Sequence, residues 1–226
     1  MRAPPPGPAL RLPRQERSRR TLERVLDATE ALLRDRTFEA IPVSQILVAA
    51  GTSAGAFYAR FRDKDALLPA LYERYERWVE DRARRSGARS PRGDRPLKEV
   101  VTWLARESVD LFRHRPSLLR AMALHVRRHP EKIDDETRAR RARTMRYLRD
   151  ALLSRRDEIG HPDPERAADL AVFFAFTTCR EAILFRDAPH AAATRLDDAE
   201  LEREVARMIL AYLGARGASK SPPPNA

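Results

Sequence analysis

The sequence predicts an all-α protein: an N-terminal three-helix, helix-turn-helix domain followed by a larger helical domain. Three observations predict it. Apolar residues recur at three- and four-residue spacing along most of the chain, and no stretch alternates as a strand does. The segment Val43–Lys64, VSQILVAAGTSAGAFYARFRDK, breaks one helical period at Gly51 and starts another at Ser53. The stretch SGARSPRGDRP, residues 86–96, has Gly, Ser, Pro and charges but no apolar anchor, and reads as a linker.

Residues 1–13 (MRAPPPGPALRLP) are Pro-rich and without periodicity, and read as a disordered basic arm. A first helix starts near Arg14–Arg17. Leu22, Val25, Leu26, Thr29, Leu32 and Leu33 give it one apolar face, and it ends near Arg36–Thr37. Phe38 and Ile41 read as anchors into a small core. Pro42 favours a helix start close by, so the second helix covers about Val43–Ala50. Gly51 stands where the chain must turn sharply and a side chain would be strained. The Ser53 hydroxyl can accept from a free backbone N–H and cap a third helix, about Ala54–Arg60. Ile46, Ala50 and Thr52, continued by Phe57 and Phe61, face inward. Asp63 is a natural N-cap for a fourth helix running to about Arg85, with Leu67, Leu68, Leu71, Tyr72, Tyr75, Trp78 and Val79 on one side.

Leu97 to Phe112 mark a fifth helix. Pro116 opens a sixth and Pro130 ends it. A seventh holds Ile133, Thr144, Leu148 and Leu152, with a basic face from residues 138–149. Gly160–Pro164 is a loop. Residues 165–186 are apolar almost all round, which predicts burial on more than one side. A last helix covers about Asp198–Gly214. The expected domains are 14–66 for the helix-turn-helix and 67–214 for the second, with 215–226 a frayed tail.

At 226 residues, 42% of them apolar, the chain can bury a proper core. No apolar run approaches the ~20 residues of a membrane span, and no secretory signal is expected. The single cysteine, Cys179, excludes an intramolecular disulfide and suits a reducing cytoplasm. The formal charge of +11 suits a polyanionic partner. Four lysines against 40 arginines also fit a GC-rich genome, which weakens that inference. The excess is spread, +5 over residues 1–85 and +6 over 86–226, but within 1–20 six arginines face only Glu16.

No catalytic constellation emerges. His125 and His129 have the i,i+4 spacing of a helical zinc pair, but Val126 stands where a zincin needs its general-base Glu, and both read as surface histidines. Gly51 and Gly55 make no phosphate loop, because no Gly-Lys-Ser/Thr follows. There is no Gly-x-Ser-x-Gly elbow. Cys179, inside an apolar helix, reads as an inert core thiol. The expectation is no enzyme, no metal and no cofactor.

DNA contact has more support. Phosphates are held by helix N-termini, hydroxyls and cations. The candidates are Ser44 and Gln45 opening the second helix, Ser53 opening the third, Tyr58 on its outer side, and Lys64 opening the fourth. A lysine at a helix N-terminus opposes the macrodipole, and a phosphate nearby would explain it. Ala54 and Gly55, with Ala56, let backbone approach a groove. Thr52 and Arg60 could reach base edges.

Residues ~15–75 resemble the N-terminal domain of the tetracycline-repressor (TetR) family of bacterial transcription regulators. The resemblance rests on Val25-Leu26, Ala28, Phe38, Ile46, Ala50-Gly51-Thr52-Ser53, Gly55, Phe57-Tyr58, Phe61, Lys64 and Leu67. Two positions depart from the family pattern: Thr37 where Gly is usual, and Leu47 where a small residue is usual. The resemblance implies a homodimer on an inverted repeat of double-stranded DNA, repressing until an effector shifts the fourth helix. Segments 165–186 and 198–214 have the apolar surface to pair with their copies. Trp103, Glu107, His125, Phe174, Thr178 and Cys179 are candidates to line a pocket for a small hydrophobic or aromatic effector. The alternative is an all-helical sensor of a small molecule or protein that binds DNA weakly or not at all.

Overall fold

The structure, a computed structural model, describes residues 16–86, 95–132 and 135–215. Among these residues it is built from helices, with no strand. In chain order they are α1 (Glu16–Leu32), α2 (Val43–Ala50), α3 (Ala54–Tyr58), α4 (Leu67–Ser86), α5 (Leu97–His114), α6 (Pro116–Arg128), α7 (Asp135–Leu153), α8 (Pro164–Leu184), α9 (Pro189–Thr194) and α10 (Asp198–Tyr212). The expected arm at 1–13, the tail at 216–226, most of the linker and Ile133 lie outside the described residues. The chain divides into two compact units, Met1–Arg84 with Arg115–Lys132, and Arg85–His114 with Ile133–Ala226.

The first unit is built on an aromatic and aliphatic core. Val25, Phe38, Ile41, Ile46, Phe57, Phe61 and Leu67 are all buried, and the Phe57 and Phe61 rings stand 5.1 Å apart. α1 stops at Leu32, earlier than its apolar pattern suggests, and leaves through a turn in which the Arg34 N–H donates to Ala31 O. Charge ties the helices together. Arg74 on α4 reaches Asp27 at 2.7 Å and Glu30 at 3.6 Å on α1, and also pairs with Glu23. Arg115, at the entry to α6, pairs with the same Glu30. Burial alone would lower the Arg74 pKa, but the surrounding acids more than offset it and raise it. The expected boundary at 66/67 therefore differs from the division into units. α4 as far as Arg84, and α6, cluster with the helix-turn-helix.

Lys64 has partners within the chain. Its side chain turns inward, where Nζ donates to the carbonyls of Phe38 (2.8 Å), Glu39 (3.3 Å) and Ile41 (3.1 Å). An ammonium has three donors, and here each has a backbone acceptor. The same ammonium lies 4.7 Å from the centre of the Phe38 ring, a cation–π contact. The charge that seemed to call for a phosphate is used by the α1–α2 connection. Asp63 behaves nearly as expected. Its Oδ1 accepts from the Ala66 N–H at 2.9 Å, in the turn that leads into α4.

In the second unit α8 packs against α5, α7 and α10. Its inner row is small: Ala167, Ala168, Ala171 and Ala175 are fully buried. Asp163 caps it by accepting from the Arg166 N–H. Asp197 and Glu200 form a reciprocal capping box at the start of α10. The end of α10 is sewn to the α7–α8 loop, where Leu213 O accepts from the N–H groups of Gly160 (3.0 Å) and His161 (3.1 Å). Gly214 has φ +59°. The short α9, PHAAAT, was not anticipated from the pattern.

Two substitutions probe these features. Lys64→Met removes three donors at once, leaving Phe38 O only its bond from the Ile41 N–H, and should lower unfolding stability in urea by about 2 kcal/mol. A wild-type midpoint would show that the staple is dispensable. In Gly160→Ala the new Cβ would sit 2.4 Å from Gly214 O, a main-chain atom that cannot swing aside. A loss of about 2 kcal/mol is expected, measured the same way. No loss would mean that the loop yields freely.

Candidate nucleic-acid interface

The turn between α2 and α3 is closed by backbone geometry. Gly51 adopts φ 56°, ψ 45°. Its N–H donates to Val48 O and the Thr52 N–H to Leu47 O, each at 3.1 Å. This pair is a Schellman motif, which a left-handed residue permits and glycine adopts without strain. Arg24 on α1 reaches Gly51 O at 3.4 Å. Ser53 Oγ then accepts from the Ala56 N–H at 3.2 Å and starts α3. Thr37 and Leu47, the two departures, are accommodated: Thr37 does not take up the left-handed conformation that favours glycine, and Leu47 is half-buried.

α3 is shorter than expected and ends at Tyr58. Phe57 is its buried foot, and Tyr58 stacks edge-on against that ring at 5.2 Å. The outer side carries Ala54, Gly55, Ala56, Tyr58 and the following Ala59, all exposed, with Tyr58 53% exposed. Nothing lies within 4 Å of where a Gly55 Cβ would stand. Ser44 and Gln45 are exposed in the first turn of α2, and Ser53 is exposed at the start of α3. Thr52 is half-buried. Arg60 is drawn in more than a free base-reading arginine would be: its Nε is enclosed, and burial lowers its pKa. Lys64 is committed to the backbone. The outward set is therefore Ser44, Gln45, Ser53, Tyr58 and the backbone face of Ala54 and Gly55.

The six candidate effector residues are divided between the two units. His125 lies in the first unit and the other five in the second. Against expectation, His125 is only 8% exposed. Pro130 ends the helix, but α6 still presents His125 inward, to a cavity of about 50 Å³ also lined by Phe38, Lys64, Asp65, Leu68 and Arg128. Its ring is 5.2 Å from that of His129. No group of three or more His, Cys, Asp or Glu able to hold a metal occurs among the described residues. Trp103 is half-buried and meets Tyr147 edge-on at 6.3 Å, and Glu107 is half-buried. Phe174 packs on Tyr212 of α10 at 5.2 Å, while Thr178 faces out. Cys179 is fully buried, and burial pushes its thiol up to about 12. It is a core thiol.

Comparison with known proteins bears on the same segment. Residues 25–71 match the family described as bacterial regulatory proteins, tetR family. No curated protein matches the sequence significantly. Among solved structures, a TetR-family transcriptional regulator from Streptomyces coelicolor is similar at TM-score 0.57 and 21% identity, over 89% of this chain and 82% of that one. The transcriptional regulator FadR from Bacillus subtilis, solved in complex with stearoyl-CoA, is similar at TM-score 0.53 and 17% identity, over 84% and 98%. The 25–71 match falls on the helix-turn-helix with its open outer face, so this segment is similar to the DNA-binding domain of tetR-family regulators, and the helices of the chain share the fold of such regulators of known structure.

Proposed function

We propose that the protein is a homodimeric repressor that binds an inverted-repeat operator through α3 and leaves it when a small hydrophobic or aromatic effector enters the second unit. The observation that carries this reading is the α3 face. Phe57 anchors it, Ser53 caps it, Ala54 and Gly55 keep it low, and Tyr58 stands out at 53% exposure. A low helix with one projecting hydroxyl suits close approach to a groove with a phosphate at its edge. Two such faces in a dimer would read half-sites about 34–36 Å apart.

Dimerisation is supported by apolar side chains left in water. Phe173 on α8 is 58% exposed and Met208 on α10 is 39% exposed. A second copy would cover them. The effector class is supported by the stearoyl-CoA in the B. subtilis relative, and by the aromatic pair Trp103 and Tyr147. Among the described residues no helix is long and apolar enough to cross a membrane, and a cytoplasmic location fits a protein that meets DNA.

Mobility shift with DNA from upstream of its own gene should show binding at low salt. Tyr58→Ala should weaken it about tenfold, the worth of one hydrogen bond to a charged group, across related sequences alike. Absence of any shift by wild-type protein removes the regulator reading in favour of a sensor without DNA. Sedimentation at micromolar concentration should give about twice the chain mass. Phe173→Arg should give monomers with weakened operator binding, and a variant that remains dimeric would move the interface off α8.

A further inference from the structure

Arg36 stands in the turn after α1, and Gln45 in the first turn of α2. Arg36 Nη1 donates to Gln45 Oε1 at 2.6 Å, with both residues exposed. A guanidinium carries donors only. The amide oxygen must therefore face Arg36, and the amide NH₂ is turned away from it. A glutamine that reads adenine uses both ends: its oxygen takes the N6 amino proton, and its NH₂ donates to N7. With its oxygen held toward a charged partner, Gln45 keeps one acceptor site on that oxygen engaged and turns its NH₂ away from Arg36. The pull of the guanidinium on the oxygen also makes the NH₂ a stronger donor.

We propose that Arg36 is a positioning residue that fixes the Gln45 amide with its NH₂ presented as the donor to one backbone phosphate oxygen in each operator half-site. This rests on the DNA-binding reading above. Arg36 acts through Gln45 and sets what Gln45 is able to contact. Gln45 thereby positions the protein on the duplex and does not read adenine.

The test uses full-length protein and an operator selected by it from random duplexes. Gln45→Ala and Arg36→Ala should each weaken binding about five- to tenfold, and the double variant should be no weaker than the weaker single one. Gln45→Glu keeps the partner for Arg36 but has no donor, and should lose binding at least as far as Gln45→Ala. Methylphosphonate placed at single phosphates should reveal one position per half-site that weakens wild-type binding and has no effect in either alanine variant. A merely structural Arg36 would not produce that signature. Additive losses overturn the inference while leaving the DNA-binding reading intact. So does a changed base preference in Gln45→Ala, which would mark base reading. Retention of no duplex at all overturns both.

Discussion

One ammonium group gathers three backbone carbonyls. The connection between α1 and α2 ends several main-chain groups in a short space, and buried acceptors without donors are destabilising. Lys64 supplies all three donors from the start of the next helical segment, to Phe38, Glu39 and Ile41. This one residue links the entry to α2 with the exit from α3. Phe38, Ile41, Phe57 and Phe61 are buried in the same unit.

The outer flank of the same unit is held by charge. Glu30 is shared by Arg74 of α4 and Arg115 at the head of α6, so three helices meet at one carboxylate. Each pair is partly exposed and modest on its own. As a network it resists shear of α1 over α4 more than any single pair would. Arg115 follows directly on His114, the last residue of α5, which belongs to the other unit. The chain thus passes from the second unit into the first at a residue that also grips α1.

What the sequence reveals follows from where each property resides. Gly51 and Ser53 are legible because a left-handed turn and a hydroxyl cap belong to those residue types at those positions. Phe57 and Phe61 are legible from their spacing. The role of Lys64 is not, because its acceptors are main-chain oxygens, which every residue carries and no pattern distinguishes. The macrodipole argument rightly finds Lys64 out of place but looks outside the chain for an anion, whereas the chain supplies its own acceptors. His125 is misread for a related reason: its burial is decided by what α6 packs against. The capping box at Asp197 and Glu200 is a local pattern that is readable in principle. α9 is too short and too alanine-rich to show a period.

Gly55 carries a last implication. Inside a helix, glycine is less favourable than alanine by roughly 0.5–1 kcal/mol, chiefly through the freedom it loses on folding. Nothing in the folded chain requires it here, since a Cβ would meet only open space. The fold therefore leaves room for a larger residue at 55, and the glycine keeps this stretch of α3 low, as the proposed approach to a groove requires. The same openness makes this stretch a place where new side chains are structurally free. Ala54, Gly55, Ala56 and Ala59 are all exposed, whereas Phe57 between them is buried. If α3 meets DNA as proposed, its exposed positions can drift while the buried residues beneath it stand.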